Sequence, residues 1–227
     1  MEDGVNIDGW RAFWQHRADP EHRSSSPDHY DKYGRELSLV IGDVTDKRVL
    51  ELGCGSGSLF GPLGFNLARA YRGVDFSKGM LAKFKSYHPQ ADLICADAST
   101  YRDNQLYDLV FSNAVAQYFD QEMFRRSIES AVHMLAPGGK IFIGSVPWKA
   151  ARRGYYLGEL CLHARRATIR DVVVYAASFV RSDPLGRWYS LAEVSEVAER
   201  LKVSVEFFGS IFYPYRFHAR LRAIPHQ

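Results

Sequence analysis

The chain holds a short apolar run, residues 49–52, that leads directly into a turn with glycine at positions 53, 55 and 57. A brief apolar segment that ends at glycines is typical of a buried strand followed by a tight turn. Glycine lets the backbone bend sharply and lets a ligand approach it closely. The pattern predicts a strand-to-turn junction that forms the floor of a ligand site, and residues further along the chain specify the ligand.

Strand and helix patterns alternate downstream of this turn. We predict strands at 71–75, 91–96, 107–111 and 140–146, helices at 58–70, 77–87 and 121–135, and a turn at 137–139. Right-handed crossovers return each helix to the sheet, so this order indicates a parallel sheet covered on both faces. A helix at 190–201 and a hairpin of 203–208 with 211–221, joined by Gly209 and Ser210, predict an antiparallel end. The fold class is α/β.

Two segments lie outside this alternation. The first contains Trp10, Phe13, Trp14, Tyr30 and Tyr33 around a polar stretch, and predicts one or two helices with a flexible turn. The second has helical character at 155–167. The length of 227 residues fits one domain, 1–227. Its predicted parts are an N-terminal lid (1–46), a cofactor-binding core (47–146), a substrate cap insert (147–189) and a C-terminal helix and hairpin (190–227).

Composition restricts the class of protein. Apolar residues make up 46% and charged residues 24%, as in soluble globular proteins. No apolar run is long enough to span a membrane, and the acidic start does not resemble a secretory peptide. Three widely spaced cysteines fit neither a disulfide framework nor a zinc pattern, so we expect a cytoplasmic protein without a metal. A net charge of +3 is too small to indicate a nucleic-acid partner.

Polar residues stand at the predicted ends of the later strands. Asp75 follows the glycine turn by about 20 residues, where a carboxylate can accept hydrogen bonds from two ribose hydroxyls. Asp97 ends the third strand, where it can accept from an exocyclic amine, and Asn113 ends the fourth. Ligands of open parallel sheets bind beyond the carboxyl ends of the strands. The glycine spacing differs from the Gly-x-Gly-x-x-Gly of dinucleotide binders.

Five motifs in this order resemble those of the class I S-adenosylmethionine-dependent methyltransferases. They are residues 49–57, residues 73–77 with Met80, residues 96–98, residues 107–113 and residues 135–140. The resemblance covers roughly 47–146, with a weaker extension to 222. It implies a Rossmann-like, doubly wound seven-stranded sheet, mostly parallel with an antiparallel last hairpin. It also implies S-adenosylmethionine as cofactor, S-adenosylhomocysteine as product and a methyltransferase of the small-molecule type.

The resemblance assigns cofactor roles to named positions. The glycine turn would face the methionine part, Asp75 would hold the ribose, and Phe76 and Met80 would pack on the adenine. Asp97 and the Ala98 amide would read the adenine edge. The expected cofactor-binding residues are Tyr30, Tyr33, Glu51, Gly53, Cys54, Gly55, Gly57, Asp75, Phe76, Met80, Asp97, Ala98 and Asn113. The simpler interpretation is that both aspartates cap turns and that Met80 belongs to the core.

The acceptor is expected to be a small polar metabolite enclosed by 1–46 and 147–189 and methylated on oxygen or nitrogen. Residues 152–181 contain six arginines but only two acidic residues. Because arginine pairs bidentately with carboxylate or phosphate, we expect an anionic acceptor. The alternative is a solvated helix face. The expected substrate-binding residues are Gln117, Tyr118, Trp148, Arg152 and Arg153. The histidines, His218 among them, leave the catalytic base open.

Three rival functions stay open at this point. A nucleic-acid methyltransferase would share the cofactor site, but the residues after Asn113 lack the Pro-Pro-aromatic turn of enzymes that methylate base amines. The glycine spacing disfavours a nicotinamide-dependent oxidoreductase. A non-catalytic protein that binds S-adenosylmethionine is the third. The oligomeric state is also open, with a homodimer as one option.

Overall fold

The computed structural model of the chain describes residues 7–16, 27–160, 166–179 and 183–224. Its strands are β1 (Arg48–Leu52), β2 (Ala70–Asp75), β3 (Asp92–Cys95), β4 (Tyr107–Asn113), β5 (Leu135–Pro147), β6 (Val203–Gly209) and β7 (Arg216–Ala223). Its helices are α1 (Ile7–His16), α2 (Pro27–Ile41), α3 (Lys78–Tyr87), α4 (Gln121–His133), α5 (Arg152–Tyr156), α6 (Ile169–Ala177) and α7 (Leu191–Arg200).

The strands form one seven-stranded sheet in the order β3-β2-β1-β4-β5-β7-β6. Strands β1 to β5 pair in parallel, whereas β7 runs antiparallel to both β5 and β6. This confirms the predicted mostly parallel sheet with an antiparallel last hairpin. The strand order reverses at β1, between β2 and β4, which is where ligands of such sheets bind.

Both faces of the sheet are covered. Successive strand residues point to opposite faces, so Leu50 and Val110 join a core cluster with α4 and α7. Their neighbours Val49 and Leu109 join a second cluster with α2 and α3. Burial on both sides explains why the central strands are nearly continuous apolar runs rather than alternating ones.

Side-chain caps fix where several helices begin. The Met80 N–H donates to Ser77 Oγ at the start of α3, and the Met123 N–H donates to Asp120 at the start of α4. At α7, Ser190 and Glu193 form a reciprocal capping box. Each cap satisfies backbone donors that the first helical turn leaves unpaired. The predicted α3, α4 and α7 are confirmed to within about two residues.

The helix predicted at 58–70 is wrong. These residues form successive turns that end in a 3₁₀ segment, Phe65–Leu67. Pro62 cannot donate to a helix, and Gly64 takes a left-handed conformation with φ of 69°. Two helix-breaking residues within three positions therefore outweigh the apolar pattern of this segment.

The helix predicted at 155–167 is also wrong. Helix α5 ends at Tyr156, two residues before Gly158, whose φ is 74°. Helix α6 begins only after Thr168, which forms a capping box with Asp171. Part of the predicted helix, 161–165, lies outside the described residues, as does the predicted flexible turn at 17–26.

Two turns differ from the sequence prediction. Residues 137–139 lie within β5, where the pairing with β4 shifts register after Tyr107. The last strand begins at Arg216 rather than at residue 211. The Ile211 and Phe212 N–H groups donate to Glu36 Oε2 instead of to a strand, at 3.2 and 2.9 Å. Residues 210–215 therefore form a wide loop, which we call the β6–β7 loop.

We predict that Gly57→Ala lowers the free energy of unfolding by about 2–4 kcal/mol, because the residue has a left-handed backbone and its Cβ would clash. The φ of Gly57 is 78°, and a Cβ there would lie 2.6 Å from the ring of the fully buried Phe84. Gly55→Ala is the matched control: its φ is also positive, but a Cβ there would have no atom of the described residues within 4 Å apart from its own chain neighbours, so only about 1–2 kcal/mol is expected. Urea denaturation measures both, and equal losses would contradict this packing role.

Candidate cofactor and acceptor site

A cavity of about 610 Å³ opens at the carboxyl ends of β1, β2 and β4. Helices α1 and α2 and the β6–β7 loop supply further walls. All the predicted cofactor residues line the cavity except Gly57, and of the predicted substrate residues Gln117 and Tyr118 line it. A cavity of this size fits a cofactor together with a small second molecule.

The carboxylate of Asp75 organises the floor of the cavity. Its Oδ2 accepts from the Gly55 N–H at 2.9 Å, and its Oδ1 accepts from the Ser77 N–H at 2.8 Å. Each carboxylate oxygen has a second lone-pair direction, so both can still accept from a ligand hydroxyl. Burial raises the pKa of Asp75 above its ordinary value, although the two N–H groups oppose this shift. The residue is therefore a buried acceptor pair at a strand end.

The glycines of the turn have different roles. Gly53 has a φ of 80°, and a Cβ there would lie 2.3 Å from Val115 Cγ2. Gly55 borders the cavity, and a Cβ at this position would have no atom within 4 Å. Gly57 faces Phe84 and does not line the cavity. Gly55 thus leaves the backbone open to a ligand, whereas Gly53 and Gly57 allow close packing.

Glu51 lies buried at the end of β1 and lines the cavity. The Tyr71 hydroxyl donates to Glu51 Oε2 at 2.6 Å. Burial raises the pKa of Glu51 to about 8, and the nearby charge of Asp75 adds to the rise while the Tyr71 hydrogen bond opposes it. Glu51 is therefore largely protonated at neutral pH.

Helix α1 closes one side of the cavity. Its Arg11 donates to Asp97 Oδ2 at 2.5 Å, and the Ser77 hydroxyl donates to the Trp14 carbonyl at 3.0 Å. Burial opposes ionisation of Asp97, but hydrogen bonds from Ser99 and the charge of Arg11 outweigh it and lower the pKa. The Trp10 ring packs on Tyr118 with centroids 4.7 Å apart. Phe76, Met80 and Ala98 line the same region.

Arg216, at the start of β7, is a cavity residue that sequence reasoning missed. Its side chain is 7% exposed, and its Nη1 donates to Gln117 Oε1 and to the Ser145 carbonyl, both at 2.6 Å. It forms no ion pair with a carboxylate of the described residues. The sequence feature that could have indicated it is the group Tyr213, Tyr215 and Arg216 around Pro214. The predicted strand at 211–221 included these residues, so they were not considered as site residues.

Two further polar contacts set the shape of this end of the cavity. The Tyr33 hydroxyl donates to Asn113 Oδ1 at 2.8 Å, and both residues line the cavity. Behind them, His218 is fully buried: its Nε2 contacts Glu36 Oε1 at 3.0 Å, and its Nδ1 accepts from the Ser145 N–H at 3.0 Å. An Nδ1 that accepts leaves Nε2 as the donor, so His218 is neutral and both ring nitrogens are used. His218 therefore positions α2 against the sheet.

Three of the predicted substrate residues, Trp148, Arg152 and Arg153, do not line this cavity. Arg152 is buried in an ion pair with Asp183, 3.0 Å away, with its guanidinium over the Phe179 ring. Arg153 is exposed and pairs with Glu159, and Trp148 lies on the surface. Of the described residues of the insert, Pro184 and Leu185 alone line the cavity.

The other arginines of the insert that the structure describes do not line the cavity either. Arg166 and Arg170 are exposed, and positions 165 and 181 lie outside the described residues. Arginines are common on solvated helix faces because the guanidinium is well hydrated there. Clustering in the sequence therefore did not indicate which arginine reaches the cavity.

Three negative findings apply to residues 7–16, 27–160, 166–179 and 183–224. No group of three or more His, Cys, Asp or Glu side chains could hold a metal ion in these ranges. Cys54 and Cys95 are free thiols there, the first buried and the second exposed. No helix in the same ranges has the length and apolarity needed to cross a membrane.

Residues 49–139 match a family model described as a methyltransferase domain. The chain is 29% identical over 158 residues to malonyl-[acyl-carrier protein] O-methyltransferase of Priestia megaterium, covering 68% of this chain and 53% of that protein. It is 36% identical over 125 residues to trans-aconitate 2-methyltransferase of Streptomyces avermitilis, covering 50% of this chain and 46% of that protein. The chain thus spans about half the length of these curated relatives.

Among solved structures, the complex of DhpI with SAH matches with a TM-score of 0.66 and 19% identity, covering 100% of both chains. At this identity the match establishes the fold. The family model over residues 49–139, the curated relatives and the shared fold together support a class I S-adenosylmethionine-dependent methyltransferase domain in this chain.

We predict that Glu51→Gln changes how stability depends on pH. Because the folded-state pKa of about 8 lies above the ordinary value of 4.5, the folded chain holds a proton that the unfolded chain loses. Glu51 therefore lowers the free energy of unfolding as pH rises between these values, by at most about 1.4 kcal/mol per pH unit. Glu51→Gln should remove that slope and be the more stable form at pH 8.5. Denaturation curves at pH 5.5, 7 and 8.5 check this, and parallel pH profiles would contradict it.

Proposed function

We propose that this chain transfers a methyl group from S-adenosylmethionine to a small anionic acceptor. The observation that carries the proposal is one cavity that contains both Asp75, a buried acceptor pair at the end of β2, and Arg216, a buried cation without a carboxylate partner among the described residues. The first fits the cofactor ribose and the second fits an anion.

The cofactor end of the cavity has the donor and acceptor set that S-adenosylmethionine needs. Asp75 would accept from the ribose hydroxyls, Phe76 and Met80 would pack on the adenine, and Gly55 leaves room for the backbone to approach the ligand. When bound, this cofactor supplies an electrophilic methyl group on a positively charged sulfur. The aromatic side chains of α1 cover the cavity and would exclude water from it.

The acceptor end favours an anion. A buried guanidinium is costly without a counter-charge. The hydrogen bonds of Arg216 to the described residues, through Nη1 to Gln117 and Ser145, go to neutral groups, while its guanidinium lies 5.3 Å from the centre of the Tyr215 ring. An acceptor carboxylate or phosphate would supply that counter-charge and could bind bidentately. The names of the two curated relatives, which act on a malonyl group and on trans-aconitate, support an acceptor with an acidic group.

We weigh two rivals against this proposal. A nucleic-acid methyltransferase would need a wide basic surface, whereas the net charge is +3 and the cavity arginine is buried. A non-catalytic protein that binds S-adenosylmethionine needs no buried cation beside the cofactor residues. We propose that the protein is a cytoplasmic enzyme that acts on a small-molecule acceptor and has no nucleic-acid or membrane partner. For the oligomeric state, a homodimer is one option.

We predict that Asp75→Ala weakens S-adenosylmethionine binding by about tenfold to a hundredfold, because charge-assisted hydrogen bonds contribute about 1.5–3 kcal/mol. Asp92→Ala, at the opposite end of the neighbouring strand β3, is the control and should bind normally. Calorimetric titration measures both affinities. NAD should not bind either protein, and unchanged affinity in the Asp75 variant would remove this residue from the site.

We predict that Arg216→Gln raises the KM for an anionic acceptor such as phosphoethanolamine by about tenfold to a hundredfold, because the charged hydrogen bond is lost. Affinity for S-adenosylmethionine should stay within about twofold. Arg216→Lys keeps the charge without the planar fork and should be intermediate. The exposed Arg153→Gln is the control, and equal KM values for the two glutamine variants would refute the acceptor role of Arg216.

A further inference from the structure

A tyrosine–histidine contact lies at the acceptor end of the cavity. Tyr213, in the β6–β7 loop, lines the cavity, and its hydroxyl lies 2.7 Å from Nε2 of His29 on α2. His29 itself does not line the cavity. The Tyr213 hydroxyl therefore stands between the cavity and an imidazole nitrogen.

Several contacts hold Tyr213 in this place. Its N–H donates to Ser210 Oγ at 3.0 Å, and its carbonyl accepts from the Arg216 N–H at 2.7 Å. Its ring packs edge-on against Tyr33, with centroids 5.3 Å apart. The loop is itself fixed to Glu36 through two backbone N–H groups. A side chain held in this way suits proton transfer, which needs a fixed geometry.

We propose that Tyr213 and His29 form a proton relay that deprotonates the acceptor, and that the methylated atom is accordingly a hydroxyl oxygen or an amine nitrogen rather than the anionic group itself. The inference rests on the proposed function. A carboxylate or phosphate oxygen that already carries a negative charge has no proton to lose, so a relay beside it would serve no purpose. A hydroxyl or an ammonium must lose a proton to give the methylated product.

When the acceptor is a hydroxyl, its oxygen forms a bond to the methyl carbon, and the bond from that carbon to sulfur breaks, with the electron pair staying on sulfur. The acceptor proton passes to the Tyr213 oxygen while the Tyr213 proton passes to His29 Nε2. The relay requires the tautomer of His29 that carries its proton on Nδ1. The half-buried imidazolium then releases its proton to solvent.

Other basic groups near the acceptor end are already engaged. Both nitrogens of His218 are used by Glu36 and Ser145, and Glu36 accepts from two backbone N–H groups as well as contacting His218. The Tyr33 hydroxyl donates to Asn113. Among the described residues, the titratable or charged groups around Tyr213 and His29 include Tyr30, Tyr33 and Glu36 on α2, Tyr215 in the loop, and Arg216 and His218 on β7.

Burial raises the pKa of Tyr213 above its ordinary value, with the Arg216 charge opposing the rise. A tyrosine of raised pKa stays protonated at neutral pH and cannot act alone as a base. It can pass a proton on if an imidazole accepts its own proton at the same time. The 2.7 Å contact to His29 supplies that second acceptor.

Three variants test the relay by activity: Tyr213→Phe, His29→Gln and the double variant. The controls are Tyr87→Phe and His133→Gln, which change exposed side chains outside the cavity. Labelled S-adenosylmethionine is offered with three acids that carry a hydroxyl or amine (3-hydroxypropionate, β-alanine and phosphoethanolamine) and with three that do not (propionate, malonate and trans-aconitate).

We expect turnover only with the first three acids, and a methyl label that base treatment does not release as methanol. Each single variant should lower kcat by about a hundredfold, consistent with general acid–base catalysis, and leave S-adenosylmethionine affinity and the melting temperature near those of the controls. The double variant should be no slower than the slower single one, because the two groups act as a unit. We expect wild-type kcat to fall at low pH, because the relay needs an imidazole that can accept a proton, and we expect this fall to be absent in His29→Gln.

A base-labile methyl ester as product would overturn the proposal, as would normal kcat in either single variant or additive losses in the double variant. A variant that loses kcat together with its fold would show a lowered melting temperature. In that case the relay is judged from Tyr213→Phe, which removes only the hydroxyl, and from the pH dependence of kcat.

Nitrogen-15 NMR of the ligand-free chain gives a readout that is independent of turnover. At pH 8 we expect His29 Nε2 to be unprotonated and its resonance to shift in Tyr213→Phe but not in Tyr87→Phe. An Nε2 that carries the proton overturns the relay even in an active enzyme. If S-adenosylmethionine binds but none of the six acids is methylated, the acceptor part of the proposed function fails, and this spectrum alone decides the relay.

Discussion

One carboxylate joins the three pieces of chain that form the cofactor end of the cavity. Asp75 ends β2, accepts from the Gly55 N–H of the turn after β1, and accepts from the Ser77 N–H at the start of α3. Beside it, the Gly53 and Cys54 N–H groups both donate to the Val74 carbonyl. These contacts fix the glycine turn against the neighbouring strand. The floor of the cavity is therefore fixed by contacts between the ends of β1 and β2 and the start of α3.

The opposite end is held by a different buried network. Glu36 on α2 contacts His218 on β7 and accepts from two N–H groups of the β6–β7 loop. Burial would raise the pKa of Glu36, but the hydrogen bonds from His218, Ser210 and Phe212 outweigh it and keep the pKa below its ordinary value. A buried charge of this kind is tolerated because every oxygen has partners. The network places Tyr213 and Arg216 at the cavity, and so joins the N-terminal helices to the C-terminal hairpin.

The sequence predicted the parts of the fold in which local signals agree with tertiary packing. The apolar runs of β1 and β4 and the Ser77 and Ser190 caps have direct local causes, and the strand-end residues Asp75, Asp97 and Asn113 follow from their place in the alternation. The failures have physical reasons as well. The segment after the glycine turn has apolar periodicity, yet Pro62 and Gly64 prevent a helix there.

The acceptor end depends on long-range contacts that no local pattern reveals. The β6–β7 loop departs from a strand because Glu36, about 175 positions earlier in the chain, takes its N–H groups. Conversely, the arginine cluster of the insert is conspicuous in the sequence, but Arg152 pairs internally with Asp183 and Arg153 faces solvent. Whether an arginine reaches the cavity depends on its partners in the fold, which the sequence does not show.

We propose that one cavity holds the adenosyl cofactor at the ends of β1 and β2 and the acceptor at the start of β7. A crystal structure of the chain with S-adenosylhomocysteine tests it most directly. We expect both ribose hydroxyls within hydrogen-bond distance of the Asp75 carboxylate, the adenine against Phe76 and Met80, and an open space bordered by Tyr213 and Arg216. An adenosyl group bound elsewhere, or one that fills the space beside Arg216, would contradict it.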